Sequence, residues 1–119
     1  MTPELTLILP YPPSVNTYWN FHGHRRFLTA KANRFKADVG QEFRISAHSG
    51  FADQNVQVDV FLYPPDRRIR DIDNPIKPLL DSITQAGVWE DDSQVTKITI
   101  QRKELHKGGK CVISIRLLD

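Results

Sequence analysis

Two short stretches hold most of the residues in this chain that could do chemistry. The first is Asp66-Arg67-Arg68-Ile69-Arg70-Asp71-Ile72-Asp73-Asn74-Pro75-Ile76-Lys77, and the second is Trp89-Glu90-Asp91-Asp92. Asp71 and Asp73 are two apart, so on an extended segment both carboxylates point the same way and can share one hard cation. Asp91-Asp92 can bring a third carboxylate. Magnesium takes oxygen ligands in near-octahedral geometry and keeps several waters, so two or three carboxylates plus a phosphate oxygen complete a shell. Such an ion generates hydroxide, clamps a phosphodiester and offsets charge on the leaving oxygen. Without a cation the clustered acids would repel one another and any phosphate, so the electrostatics call for metal. Lys77 lies four residues beyond Asp73, where its ammonium can reach the same phosphate as a point charge. Arg67, Arg68 and Arg70 put positive charge where a DNA backbone would approach. The same acids also fit a plainer role, with Asp73-Asn74-Pro75 as a helix cap and Asp91-Asp92 as a polar turn. The joint pattern of basic run, Asp-x-Asp-Asn, lysine one turn on and second acidic pair favours metal-dependent phosphodiester chemistry.

The surrounding sequence supplies elements to position these groups. Leu5-Thr6-Leu7-Ile8-Leu9 reads as a first strand stopped by Pro10. Pro10 to Thr29 shows no helical period and reads as a long aromatic and basic loop. From Ala30 to about Ser49, Phe35, Val39 and Phe43 recur every fourth residue, predicting an amphipathic helix capped by Thr29 and closed by Gly50. Val56, Val58, Val60 and Leu62 alternate with more polar positions, predicting a strand that ends at Pro64-Pro65. Asn74 as N-cap and Pro75 at the first helical position open a second helix, with Ile76, Leu79, Leu80 and Ile83 as its apolar stripe and Gly87 as its stop. Pro78 lacks the N–H that would bond back to the Asn74 carbonyl, so either the helix starts later or that carbonyl serves another partner. Val95–Lys103 and Cys111–Leu117 read as strands joined by a hairpin turn at Lys107-Gly108-Gly109-Lys110. Trp89 is expected to pack the end of the second helix and so hold Asp91-Asp92 near Asp71. The expected fold is α+β, ordered β-α-β-α-β-β, with two helices on one face of a four-stranded mixed sheet.

Composition narrows the function classes. The 119 residues allow a single domain spanning 1–119, with one modest core. No apolar run approaches a membrane span and the start does not resemble a signal peptide, predicting a soluble cytoplasmic protein. Cys111 is the only cysteine, which excludes an internal disulfide and a cysteine-based zinc site. The formal charge is only +2, too little for a simple DNA coater, but it is segregated. Between Tyr18 and Gly50, Arg25, Arg26, Lys31, Arg34, Lys36 and Arg44 face only Asp38 and Glu42. Between Lys97 and Arg116, six basic residues face only Glu104, whereas Pro78 to Thr96 holds four acids and no Lys or Arg. Aromatic and arginine side chains together in the first loop suit phosphates and exposed bases, and they equally suit pinning that loop to the core.

Taken together, Pro10-Tyr11-Pro12-Pro13-Ser14-Val15-Asn16, the Pro65-Asp66-Arg67-Arg68 to Asp71-Ile72-Asp73-Asn74 block, Ala86-Gly87-Val88-Trp89-Glu90-Asp91-Asp92 and the Lys107-Gly108-Gly109 turn resemble the RusA family of Holliday junction resolvases, small bacterial endonucleases often carried by prophages. The resemblance implies that Asp71, Asp73 and Asp92 are catalytic and hold Mg2+ or Mn2+, and that Lys77 is the catalytic lysine. Arg70 falls at the basic position beside the first aspartate and Asn74 at the asparagine after the second. It implies a homodimer that makes paired nicks in four-way junction DNA, and two symmetric cuts by a one-site chain are made most simply by a C2 pair. Expected DNA contacts are Arg67, Arg68, Arg70 and Asn74, with Arg25, Arg26 and Lys31 from the aromatic loop and the helix after it. Two departures stand out: Ile69 interrupts the basic run, and Pro75 and Pro78 stiffen the helix carrying Lys77. Two other readings share these residues, a noncatalytic junction-binding protein and a flap or general nuclease with the same metal site.

Overall fold

In the computed structural model, which describes residues 2–118, the element order is β1 (Leu5–Leu9), α1 (Val15–Tyr18), β2 (Trp19–His22), β3 (Arg25–Leu28), α2 (Ala30–Ser46), β4 (Val56–Tyr63), α3 (Ile76–Ala86), β5 (Val95–Arg102) and β6 (Lys110–Leu117), with a 3-10 turn at Asp92–Gln94 before β5. β1, β6, β4 and β5 lie side by side in that order as one sheet, in which only the β4–β5 pair is parallel. A parallel pair needs a crossover, and α3 provides it. The period-two positions meet as expected: Leu5, Leu7 and Leu9, Val56 to Leu62 at alternate residues, and Cys111, Ile113 and Ile115 are all buried. They face Phe35 and Val39 of α2 and Leu79 and Ile83 of α3, forming one continuous core. The opposite sheet face is open, with Ile8 62 % exposed, and is laced by Thr6–Ser114 and Arg116–Asp59 hydrogen bonds. Among the described residues no helix is long and apolar enough to cross a membrane.

Four expectations need correction. The segment from Pro10 to Thr29 is not a plain loop, because it contains the single turn α1 and a two-stranded ribbon, β2–β3. Gly23, at φ +63°, begins the two-residue loop Gly23-His24 between the paired His22 and Arg25. The ribbon is solvated on both faces, so it lacks the buried and polar alternation that reveals a strand. Second, α2 ends at Ser46. Thr29 caps its start by accepting the Ala32 N–H at 3.1 Å, but the close is made by Ala47 in the left-handed region. Gly50 serves packing: at φ +85° a Cβ there would lie 2.8 Å from the Val88 carbonyl oxygen, where the Phe51 N–H donates at 2.8 Å.

Third, Pro75 rather than Asn74 is the N-cap of α3, so the helix begins one residue later. The Asn74 carbonyl that Pro78 cannot reach accepts the Val15 N–H at 2.9 Å. Both outcomes foreseen for Pro78 therefore occur together. Fourth, Lys107-Gly108-Gly109-Lys110 is a turn but not a hairpin between neighbours, because β4 lies between β5 and β6. The connection crosses the end of β4, with Lys103 N–H donating to Leu62 O at 2.8 Å and His106 N–H to Pro64 O at 2.9 Å. Alternation identifies a strand but not its partner. A Cβ at Gly109 would lie 2.9 Å from Tyr11 Cβ, so the glycine lets this crossing pack on the segment after β1.

Candidate active site

The segment from Asp66 to Asn74 leaves the end of β4 and bends at Ile72 and Asp73 instead of running extended. The Asp73 carbonyl accepts the Ile76 N–H at 3.0 Å, which starts the turn into α3. The period-two argument for parallel carboxylates therefore does not apply, although both Asp71 and Asp73 are exposed to solvent.

Asp71 lines a cleft of about 540 Å³ together with Tyr11, Ser14, Lys31, Arg68 and Asn74. Lys31, from the first turn of α2, and Arg68 line the same cleft from different elements. On the other side of the arginine segment, Arg67 lines a second cleft of about 410 Å³ with Arg102 and Lys103. Ile69 stands fully exposed between the two clefts.

Arg70 is turned back onto its own loop. Its guanidinium donates to Asp66 Oδ1 at 2.7 Å, to the Asp66 carbonyl at 3.1 Å and to the Arg68 carbonyl at 3.2 Å. It also lies 5.8 Å from the centre of the Tyr11 ring. The Arg68 N–H and then the Arg70 guanidinium hold the Asp66 carboxyl below the usual range. The loop is closed again from β5, whose last residue, Arg102, donates to the Arg70 carbonyl at 2.6 Å. That carbonyl belongs to the peptide leading into Asp71, so Arg70 and Arg102 restrain the backbone on which the carboxylate stands.

The second acidic pair divides its roles. Asp91 caps the 3-10 turn: its carboxylate accepts the Ser93 hydroxyl at 3.0 Å, and these Ser93 bonds lower its pKa. Asp92 instead accepts from the Lys77 ammonium at 3.1 Å. Trp89 packs as expected, buried at the end of α3 and donating from Nε1 to Thr84 Oγ1 at 2.7 Å. Gln94 fixes the rest of the turn. Its amide oxygen accepts the Glu90 and Asp91 N–H groups, both at 2.9 Å, while its NH2 donates to Ala52 O at 2.8 Å and Gln54 O at 2.7 Å.

The aromatic segment is anchored to the same helix. Tyr18 is buried and its hydroxyl donates to Asp81 at 2.6 Å; burial, then this bond, push its phenol far above the ordinary range. Arg25 and Arg26 are exposed on the ribbon that follows.

The structure thus joins Lys77 to Asp92 and places Asp71, Lys31, Arg68 and Asn74 around one cleft. Among the described residues, no three His, Cys, Asp or Glu side chains form a preassembled metal cage. The donors Asp71, Asp73 and Asp92 are nonetheless all hard carboxylate oxygens, the chemistry a magnesium or manganese ion takes. Sequence reasoning missed Gln94 and Arg102. Asp91-x-x-Gln94 carries a capping-box signature that could have revealed the first, whereas nothing local marks Arg102.

Arg102→Ala should loosen the Asp66–Asp71 segment. Trypsin is expected to cut after Arg67 or Arg68 about tenfold faster in the variant, read by mass spectrometry of the first fragments. An unchanged cutting rate at these arginines would remove Arg102 from the account.

Residues 10–116 match the family model described as Endodeoxyribonuclease RusA. The chain belongs to the RusA family. Among curated RusA relatives, the crossover junction endodeoxyribonuclease of Enterobacteria phage HK97 is 38 % identical over 116 residues, covering 98 % of this chain and 97 % of that protein. The enzyme of the same name from Enterobacteria phage 82 is 31 % identical, covering 92 % of this chain and 91 % of its own. That of Escherichia coli is 30 % identical over 110 residues, covering 92 % of each chain. The RusA match includes both acidic stretches, the ribbon and the Gly-Gly crossing.

Proposed function

We propose that the protein is a structure-selective DNA endonuclease that resolves Holliday junctions by paired symmetric nicks, acting as a magnesium- or manganese-dependent homodimer. The observation that carries this reading is the pairing of near full-length similarity to crossover junction endodeoxyribonucleases with a cleft that Asp71 lines together with Lys31, Arg68 and Arg70. Lys31 and Arg68 offer two positive charges from separate elements, suited to successive phosphates of a strand lying over Asp71. Asp71, Asp73 and Asp92 are the residues that would hold the ion. When bound, that ion supplies a water nucleophile at neutral pH and Lewis-acid stabilisation of the phosphate. Lys77 balances Asp92 in this structure and offers its ammonium to charge developing on the phosphate. Arg70 and Arg102 act as positioning residues, because their bonds restrain the Asp71 backbone rather than reach outward. Asn74 contributes its carbonyl to the Val15 contact and also lines the cleft. The proposed setting is the bacterial cytoplasm, with the chain encoded by the host or by a prophage.

Labelled four-way, forked and linear DNA, titrated with magnesium, provides the test. Symmetric nicks in the four-way substrate at magnesium concentrations where linear duplex stays intact are expected. Equal cutting of all three substrates would favour a general or flap nuclease, and selective binding without cutting in magnesium or manganese would favour a noncatalytic junction binder.

A further inference from the structure

The β2–β3 ribbon carries more apolar surface than its own fold uses. Phe21 is 69 % exposed and Phe27 46 % exposed, and cross-strand register places them on opposite faces. Phe21 shares its face with its partner Arg26 and with Trp19, and the Arg26 guanidinium lies 4.0 Å from the centre of the Trp19 ring. The result is a guanidinium stacked on an indole with an exposed phenyl ring on the same face. Phe27 shares the other face with Arg25 and His22.

The charge around the ribbon selects its occupant. From Leu5 to Ala37 the chain has no Asp or Glu, while Arg25, Arg26, Lys31, Arg34 and Lys36 are all basic. Two copies of such a surface repel, and an apolar protein partner would leave the arginines unpaired. A polyanion that also presents flat aromatic faces satisfies both halves of the surface. Bases inside a continuous duplex are already stacked on their neighbours, so only unstacked bases have free faces to offer. The ribbon is also tied to the cleft, since Thr17, just before it, and Lys31, just after it, line the cavity that contains Asp71.

We propose that the ribbon is a second DNA-recognition element, which stacks an unpaired base at the branch point of the junction on Phe21, with Arg26 on the same face holding an adjoining phosphate. The inference rests on the junction-resolving function proposed above and goes beyond it, by assigning branch-point selectivity to residues outside the carboxylate site.

The test measures binding of the full chain, without divalent metal, to a four-way junction carrying 2-aminopurine at the branch point and to a linear duplex of the same sequence. For the unaltered protein, junction binding should be tighter than duplex binding and should change the 2-aminopurine fluorescence as the base leaves its stack. Phe21→Ala should weaken junction binding about tenfold, abolish the fluorescence change and leave duplex binding within about twofold. Phe21→Trp should retain both the affinity and the fluorescence change, and matching thermal midpoints would show that the fold is intact. Undiminished junction affinity and fluorescence in Phe21→Ala would overturn the inference. So would a shift from dimer to monomer on sedimentation, which would make Phe21 a contact between copies. If the unaltered protein failed to prefer the junction, the functional reading itself would fall.

Discussion

Replacing Asp71 with asparagine is expected to lower magnesium-dependent nicking of a four-way junction by about 10³-fold or more, while junction affinity stays within a few-fold of the parent. The magnitude follows from the several kcal/mol of charge stabilisation that a catalytic ion supplies, each 1.36 kcal/mol being about tenfold in rate. The retained affinity follows from geometry. Lys31 and Arg68 flank the cleft from α2 and from the arginine segment, and neither is paired with Asp71. Arg70 keeps its bonds to Asp66, so the loop should stay closed in the variant. Removing the carboxylate also removes a negative charge from the path of a phosphate, which favours binding if it changes it at all. Single-turnover cleavage and a gel-shift titration on the same protein sample separate the two effects. Nicking at the parent rate would show that the ion, or the chemistry, is elsewhere.

The second large effect is expected at a residue that touches no phosphate. Gln94→Leu should destabilise the fold by roughly 3 kcal/mol, because the buried amide satisfies two N–H groups and two carbonyls and the leucine satisfies none. For a chain of this size that corresponds to a thermal midpoint lower by roughly 10 °C. Below the melting range the variant should still bind junctions through the basic cleft. It should cleave them poorly, because Asp92 stands in the turn that Gln94 ties to Ala52 and Gln54. Circular dichroism melts combined with cleavage at low temperature test both halves. An unchanged midpoint would mean that water replaces the lost amide bonds.

The fold was legible where burial has a period. Val56 to Leu62 and the Ile76-Leu79-Ile83 stripe each have one solvated side, so apolar spacing revealed both the element and its inner face. It failed where exposure is two-sided, as in Trp19 to Leu28, and where neighbours are set by crossover geometry, as for β5 and β6. At the site, the types and spacing of Asp71, Asp73, Lys77 and Asp92 were visible, and the pairing of Lys77 with Asp92 could be anticipated only as proximity. The arginines were harder. Arg70 stands four residues after Asp66, which hints at an internal partner, yet a run of basic residues reads first as an outward-facing surface. Arg102 reaches Arg70 from 32 positions away in sequence, a relation that exists only once β5 lies beside β4.

The place of β6 has a consequence for when such a chain could become active during its synthesis. This last strand in chain order is inserted between β1 and β4, so until β6 has left the ribosome β1 has no partner in the sheet and β4 has only β5. A nascent chain stopped before Lys110 has the carboxylates but lacks one of the two inner strands of the sheet that carries them. Pairings this distant in sequence also form late in folding. Such a fragment should not hold Asp71 and Asp92 in place, so cleavage is expected only from chains that extend through β6.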